Sequence, residues 1–290
     1  MRNIRITIQY DGSSYQGFQV QGEAPTIQRA IQDALEVIVG ERVPVTGAGR
    51  TDAGVHALGQ VINFRTASSI PVDRFPHALN SVLPDDIVVV AAAEVPAGFH
   101  ARYSATSKVY TYTFWNGPFP SPFYRRYSLW VPQSIDVEAM KAVAAEFVGT
   151  HDFVAFRSTG SSAVTTRRTV LRSTVDEHPA LEPARGGGAN GGPGEDGGVA
   201  PGSGGTHVSH RIVVFTVEAD GFLYNMVRVM AGTLLEAGLG KRSAEDVRRA
   251  LFSGERRLAG PTLPPQGLCL EDVRYGPLEG RRRTRAGAAR

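Results

Sequence analysis

Hydrophobic positions follow two rhythms along this chain, one of period two and one of three to four. Ile4, Ile6 and Ile8 alternate with polar residues, which predicts a half-buried strand, and Asp11-Gly12-Ser13-Ser14 reads as the turn after it. Ile27, Ala30, Ile31, Ala34, Leu35 and Ile38 recur at helical spacing, an amphipathic helix stopped at Gly40. Residues 61–65 read as a strand. Asp73 is placed to cap a short helix through Leu79 and Val82, ended by Pro84. The apolar, β-branched run Ile87–Val95 reads as a buried strand.

The second half repeats this mixture. Residues 108–115 put Tyr110, Tyr112 and Phe114 on one strand face and Val109, Thr111 and Thr113 on the other. Residues 127–131 read as its antiparallel partner. Asp136 caps a helix carrying Met140, Val143, Ala144 and Phe147, closed by Gly149. Residues 164–175 and Arg211–Ala219 read as strands. Met226, Val227, Met230, Ala231, Leu234 and Leu235 form a helical stripe, and Ser243 with Asp246 has capping-box spacing for a helix through Leu251. Leu268–Tyr275 closes as a strand. The expected fold is α+β: two related lobes, 1–105 and 106–277, with helices packed on one face of a largely antiparallel mixed sheet. Residues 179–209, rich in Gly, Pro and Ala, lack large hydrophobics and read as a mobile insertion. Residues 278–290 read as a flexible basic tail, with Arg281-Arg282-Arg283-Thr284-Arg285 within it.

Composition narrows the class. The chain has 290 residues, 42% hydrophobic and 20% charged, enough for a sizeable core. Its net charge of +3 is carried by arginine, since the lysines are only Lys108, Lys141 and Lys241. Arginine forks phosphate and stacks on bases, so this bias leans towards a nucleic-acid partner without requiring one. The sole cysteine, Cys269, excludes an intrachain disulfide framework and a multi-cysteine metal site, and its apolar neighbours predict a small buried hydrophobe. His207 and His210 lack a third metal ligand. The alternating N-terminus is no signal peptide and no apolar run is long enough for a bilayer, so a soluble cytoplasmic protein is expected.

The most unusual stretch is Gly47-Ala48-Gly49-Arg50-Thr51-Asp52-Ala53-Gly54-Val55-His56. A dinucleotide fingerprint would need glycine where Asp52 stands, and a Walker A loop would end in Gly-Lys-Ser/Thr. Neither holds, which disfavours a nucleotide-dependent enzyme. By its residues alone the stretch is equally a tight turn whose aspartate accepts backbone hydrogen bonds.

The stretch resembles the signature of the tRNA pseudouridine synthase A family. The resemblance continues through Ala57, Gly59-Gln60-Val61 and Asn63-Phe64. It takes in Tyr10-Asp11-Gly12, Tyr15, Gly17, Gln19 and Thr26-Ile27-Gln28 upstream. Downstream it includes Phe99-His100-Ala101-Arg102-Tyr103-Ser104-Ala105, Lys108-Val109-Tyr110-Thr111-Tyr112, His151-Asp152-Phe153, Phe156, Phe222-Leu223-Tyr224-Asn225-Met226-Val227-Arg228, Ala259-Gly260-Pro261-Thr262 and Gly267-Leu268. Phe18, where the family usually has Trp, and Leu263 and Pro265, where it has small residues, depart from the pattern. So does the length of the Gly-rich segment.

The resemblance implies the pseudouridine synthase fold with a central basic cleft. It implies Asp52 as the catalytic carboxylate, Arg228 as its salt-bridge partner, Tyr110 as a platform for the target base that assists at C5, and Arg50 as a holder of the extruded uridine. It further implies uridines 38, 39 and 40 in the tRNA anticodon arm as targets, a homodimer, and neither cofactor nor metal. His56 is expected to be structural. The competing expectation is a catalytically silent RNA-binding protein of the same fold.

Overall fold

Alternation near the N-terminus becomes β1 (Arg2–Tyr10), with Ile4, Ile6 and Ile8 fully buried on one face and Arg5, Thr7 and Gln9 half-buried on the other. The computed structural model describes residues 1–158, 160, 164–180 and 210–276. α1 (Ile27–Val39) is capped by the Thr26 hydroxyl and closed by Gly40, and it buries Ile27, Ile31, Ala34 and Leu35. β2 (Thr46–Gly47) is short. β3 (His56–Thr66) extends the expected 61–65 strand in both directions.

Asp73 does not cap a helix. It lies inside a 3-10 turn, Val72–Arg74, and α2 (Phe75–Asn80) follows without a side-chain cap, held by the buried Phe75 and Leu79. β4 (Ile87–Val95) has the expected bounds but is not buried throughout. It is an edge strand paired only with β1, and Val88 and Val90 are exposed. One solvated face is usual for such an antiparallel edge, and an apolar run cannot reveal it.

β5 (Ala105–Asn116) buries Tyr110, Tyr112 and Phe114 as expected. β6 (Leu129–Val131) pairs with β5 in parallel, not antiparallel. The roughly dozen intervening residues are long enough for the crossover a parallel pair needs. The Asp136 carboxylate caps α3 (Val137–Glu146). That helix ends at Phe147, and Gly149 instead starts β7 (Gly149–Asp152). β8 (Arg167–Pro179) begins later than expected and runs into the Gly-rich segment. Residues 181–209, with His207, and the basic tail lie outside the described residues.

β9 (Arg211–Ala219), α4 (Met226–Gly238), α5 (Ala244–Ser253) and β10 (Leu268–Tyr275) complete the chain. Ser243 and Asp246 form the full capping box of α5.

Among the described residues ten strands make one sheet, in the order β4-β1-β3-β10-β5-β9-β8-β7, with β2 on β3 and β6 on β5. Every pair along that order is antiparallel except β3 with β10. The exception joins distant parts of the chain: His56 lies opposite Cys269, and Ala57 opposite Leu270. One sheet face is sealed by Val213, Phe215 and Val217 of β9 with the aromatic row of β5, against which the helices pack. The other face is open. Cys269 is half-buried there, not fully buried, beside a cavity of about 500 Å³ lined by Leu58, Val88, Thr111 and Glu271. Burial and the Glu271 charge push its thiol up to about 12, so it stays protonated. No helix among the described residues is long and apolar enough to cross a membrane.

Candidate active site

The parallel joint determines where Asp52 goes. The loop before β3 enters the sheet next to β10, one strand away from Tyr110 on β5. Its backbone is fixed from three sides. Thr51 hydrogen-bonds the Tyr10 hydroxyl at 2.8 Å, and its carbonyl accepts from the Phe18 amide at 3.0 Å. The Gln60 amide donates to the Gly49 carbonyl at 2.9 Å. The Asp52 carbonyl accepts from Val55 at 3.2 Å, closing the turn. These bonds hold the backbone and leave the Asp52 carboxylate partly exposed. Phe18, the departure from the family's Trp, packs against Gly47 within the same support.

His56 is buried and serves the turn. Its Nδ1 accepts from the Gly12 amide at 3.1 Å and its Nε2 bonds the Arg126 carbonyl at 2.9 Å. It holds two backbone segments together.

Arg228 reaches the site from the first turn of α4, and its side chain keeps only 16% of its exposure. It donates from Nε to the Leu263 carbonyl at 2.6 Å and from Nη1 to Asn225 Oδ1 at 2.8 Å. The contact from Nη1 to Asp52 Oδ2 is longer, 3.4 Å. A tight charged pair would sit about 2.7–2.9 Å apart. The arginine is therefore anchored by other groups and leaves the carboxylate room to meet a substrate. Leu263 meets Arg228 through its backbone, its amide also donating to the Arg228 carbonyl at 3.3 Å, so its departure from the family pattern costs this contact nothing. The carbonyl is placed by a close approach of backbones: a Cβ on Gly232 would fall 2.0 Å from Pro261 O, and the Thr233 hydroxyl bonds the Gly260 amide at 2.8 Å.

Burial raises the Asp52 pKa above the ordinary 3.8, and the Arg228 charge and hydrogen bond only partly offset it. Tyr110 is 7% exposed, with its ring edge-on to Phe222 at 5.1 Å. Its hydroxyl has no hydrogen-bond partner among the described residues. Desolvation, with Tyr10 and Asp52 nearby, pushes its pKa far up, so it stays protonated. Arg50 is exposed and has no hydrogen bond or ion pair among the described residues. The fold thus brings Asp52 against Arg228 and close enough to Tyr110 to act on its hydroxyl, with Arg50 exposed on the Asp52 loop.

Sequence reasoning missed Asn225. It is the sole non-glycine at positive φ among the described residues, at 60°, and its amide joins Arg228 to Ser158. Asn tolerates the left-handed region better than most residues, so its place just before a helical stripe was an available signal. Among the described residues no group of three His, Cys, Asp or Glu side chains could hold a metal ion.

Comparisons with known proteins identify the family. The sequence model of the tRNA pseudouridine synthase family matches residues 6–104 and 143–276. A protein of Acetivibrio thermocellus named tRNA pseudouridine synthase A is 44% identical over 275 residues, 95% of this chain and 100% of its own length. One of the same name from Moorella thermoacetica is 44% identical over 274 residues, covering 94% of this chain and 99% of its own. "tRNA pseudouridine synthase A 2" of Clostridium perfringens is 42% identical over 275 residues, 95% of this chain and all of its own length. With matches of this extent on both sides of the Asp52–Arg228 contact, the chain belongs to the tRNA pseudouridine synthase family.

Proposed function

We propose that this protein converts uridine to pseudouridine in tRNA, at positions 38, 39 and 40 of the anticodon arm, with Asp52 as the reacting carboxylate. The observation that carries the reading is a half-buried carboxylate held 3.4 Å from an independently anchored arginine, with Tyr110 nearby. Family membership and the relatives' names support the tRNA substrate.

The reaction breaks the N1–C1′ bond, turns the base, and joins C5 to C1′. The C5 proton leaves, N1 gains one, and no electrons are transferred, so no redox cofactor is required. An ionised Asp52 can attack C1′ or C6, or remove a proton at C2′. All three routes need the anion that Arg228 favours against burial. Tyr110 offers its ring to the unstacked base. As a neutral phenol it moves the C5 proton only by accepting one while giving up its own. Arg50 holds the extruded nucleotide from the solvent side. Tolerance of three adjacent positions calls for recognition by RNA shape and backbone more than by base edges.

The same reading gives a cytoplasmic homodimer with one tRNA crossing both subunits. The open sheet face, where Leu58 and Val88 are exposed, is a surface suited to a second copy. Sedimentation of the purified protein tests it: a dimer is expected, and a monomer that still turns over tRNA counts against it. Tritium release from tRNA labelled at uridine C5 tests the activity. Release by the wild type and none by folded Asp52→Ala supports the reading. Release by both removes Asp52 from its role. Tight tRNA binding without release favours a catalytically silent RNA-binding protein.

A further inference from the structure

Lys108 is a cation the reaction has not used. It stands two residues before Tyr110 on β5, so the two side chains leave the same sheet face about 6.6–6.8 Å apart along the strand. It is half-buried, and its ammonium lies against the loop that carries Arg50 and Asp52. A Cβ on Gly49 would fall 2.9 Å from Lys108 Nζ. Glycine at 49 leaves the room this head group fills.

Lys108 has neither a hydrogen bond nor a carboxylate partner among the described residues, yet its nitrogen is not sealed from solvent. Its charged neighbour is another cation, Arg102. The segment bearing Arg102 is fixed rather than loose. The Ala101 amide donates to Asn63 Oδ1 at 2.8 Å, and the Tyr275 hydroxyl donates to the Ala101 carbonyl at 2.8 Å. Burial and Arg102 together lower the Lys108 pKa to about 8.

An unpaired ammonium drawn out of water is destabilising unless something compensates it. Nothing described within the protein does so here, and the side chain opens beside the candidate catalytic loop. The missing partner is an anion from outside. Because Arg102 is the charged neighbour of Lys108, Arg50 follows Gly49 on the loop that Lys108 touches, and no carboxylate pairs with Lys108 among the described residues, a phosphodiester fits the site by charge.

We propose that Lys108, with Arg102 beside it and Arg50 on the adjoining loop, binds the RNA phosphodiester next to the extruded nucleotide and so positions that nucleotide between Tyr110 and Asp52. This rests on the proposed function for its substrate, and adds a phosphate-binding subsite to it. Lysine suits the place because a point charge on a flexible stem can follow a backbone phosphate as the base turns.

The test uses the full chain with Lys108→Met, which keeps the length and apolar stem, and Lys108→Arg, which keeps the charge. Binding of tRNA is measured across a salt series, with C5 tritium release followed in parallel. The expected result for Lys108→Met is several-fold weaker binding, a higher KM, and a slope of log K against log salt reduced by about 0.7–0.9, the signature of one lost phosphate contact. Lys108→Arg should restore the slope. A Lys108→Met protein that melts like the wild type and keeps the wild-type slope overturns the proposal. Should that variant misfold, acylation of wild-type lysines read by mass spectrometry decides. Lys108 modified freely and then protected by tRNA supports the subsite, and equal modification with tRNA bound overturns it. Slope and protection are read from binding alone, so they judge Lys108 even if absent tritium release by the wild type were to sink the proposed activity.

Discussion

Asp52 serves chemistry at the expense of stability. Its pKa is raised above 3.8 in the fold, so ionising it costs the native state more than the unfolded one. Its contribution to stability is therefore largest below about pH 3.8 and is lost as pH rises through the folded value. At neutral pH Asp52→Asn should raise the melting temperature while cutting turnover by at least about a thousandfold. Calorimetry paired with tritium release reads both. Arg228→Gln removes what lowers that pKa, so the acid limb of the kcat/KM profile should move to higher pH. An unmoved limb would separate Arg228 from Asp52. Tyr110→Phe keeps the ring and loses the hydroxyl, and should lower kcat more than it raises KM, whereas Tyr110→Ala should damage both.

At the scale of elements, the start of α4 matters most. Asn225 holds φ 60° and bridges Ser158 and Arg228. Asn225→Ala adds a backbone cost of about 1–2 kcal/mol for the left-handed conformation and removes both bonds. Asn225→Gly relieves only the backbone. If the glycine variant regains stability but not activity, the amide's hold on Arg228 is the functional part. The capping box of α5 is distant from the cleft and gives a control. Ser243→Ala should cost about 1 kcal/mol, seen as a fall of a few degrees in melting temperature, with turnover unchanged.

For the whole molecule, the parallel joint of β3 and β10 ties the Asp52 loop to the strand beside Tyr110. Leu270 is fully buried and lies opposite both Ala57 and Tyr110, between the Asp52 loop and the base platform. Leu270→Ala should cost about 2–5 kcal/mol through the cavity it leaves, and should lower activity in the surviving folded fraction by loosening the two against each other. A variant that is destabilised but turns over normally once folded would show that the loop's own hydrogen bonds suffice to position Asp52.

Element type was largely legible from sequence wherever a local rule applied. Alternation predicted β1 and β5, helical spacing predicted α1 and α4, Gly40 marked the end of α1, and side-chain caps marked α3 and α5. Asp52, Tyr110 and Arg228 were found through resemblance, because by their own local patterns a turn, a core strand and a helix surface were the better fits. What sequence could not supply was set by partners far along the chain. The exposure of β4 follows from its place at the sheet edge, and the parallel pairing of β6 from the path of a loop. The 3.4 Å approach of Arg228 to Asp52 spans 176 residues and depends on the β3–β10 joint and on the Leu263 carbonyl. The lone charge of Lys108 is likewise a tertiary fact: a lysine in a strand pattern predicts a solvated head group, and only the packed loop at Gly49 leaves it half-buried and unpaired. Local rules read the backbone's neighbours in sequence, whereas burial and charge environment are decided by neighbours in space.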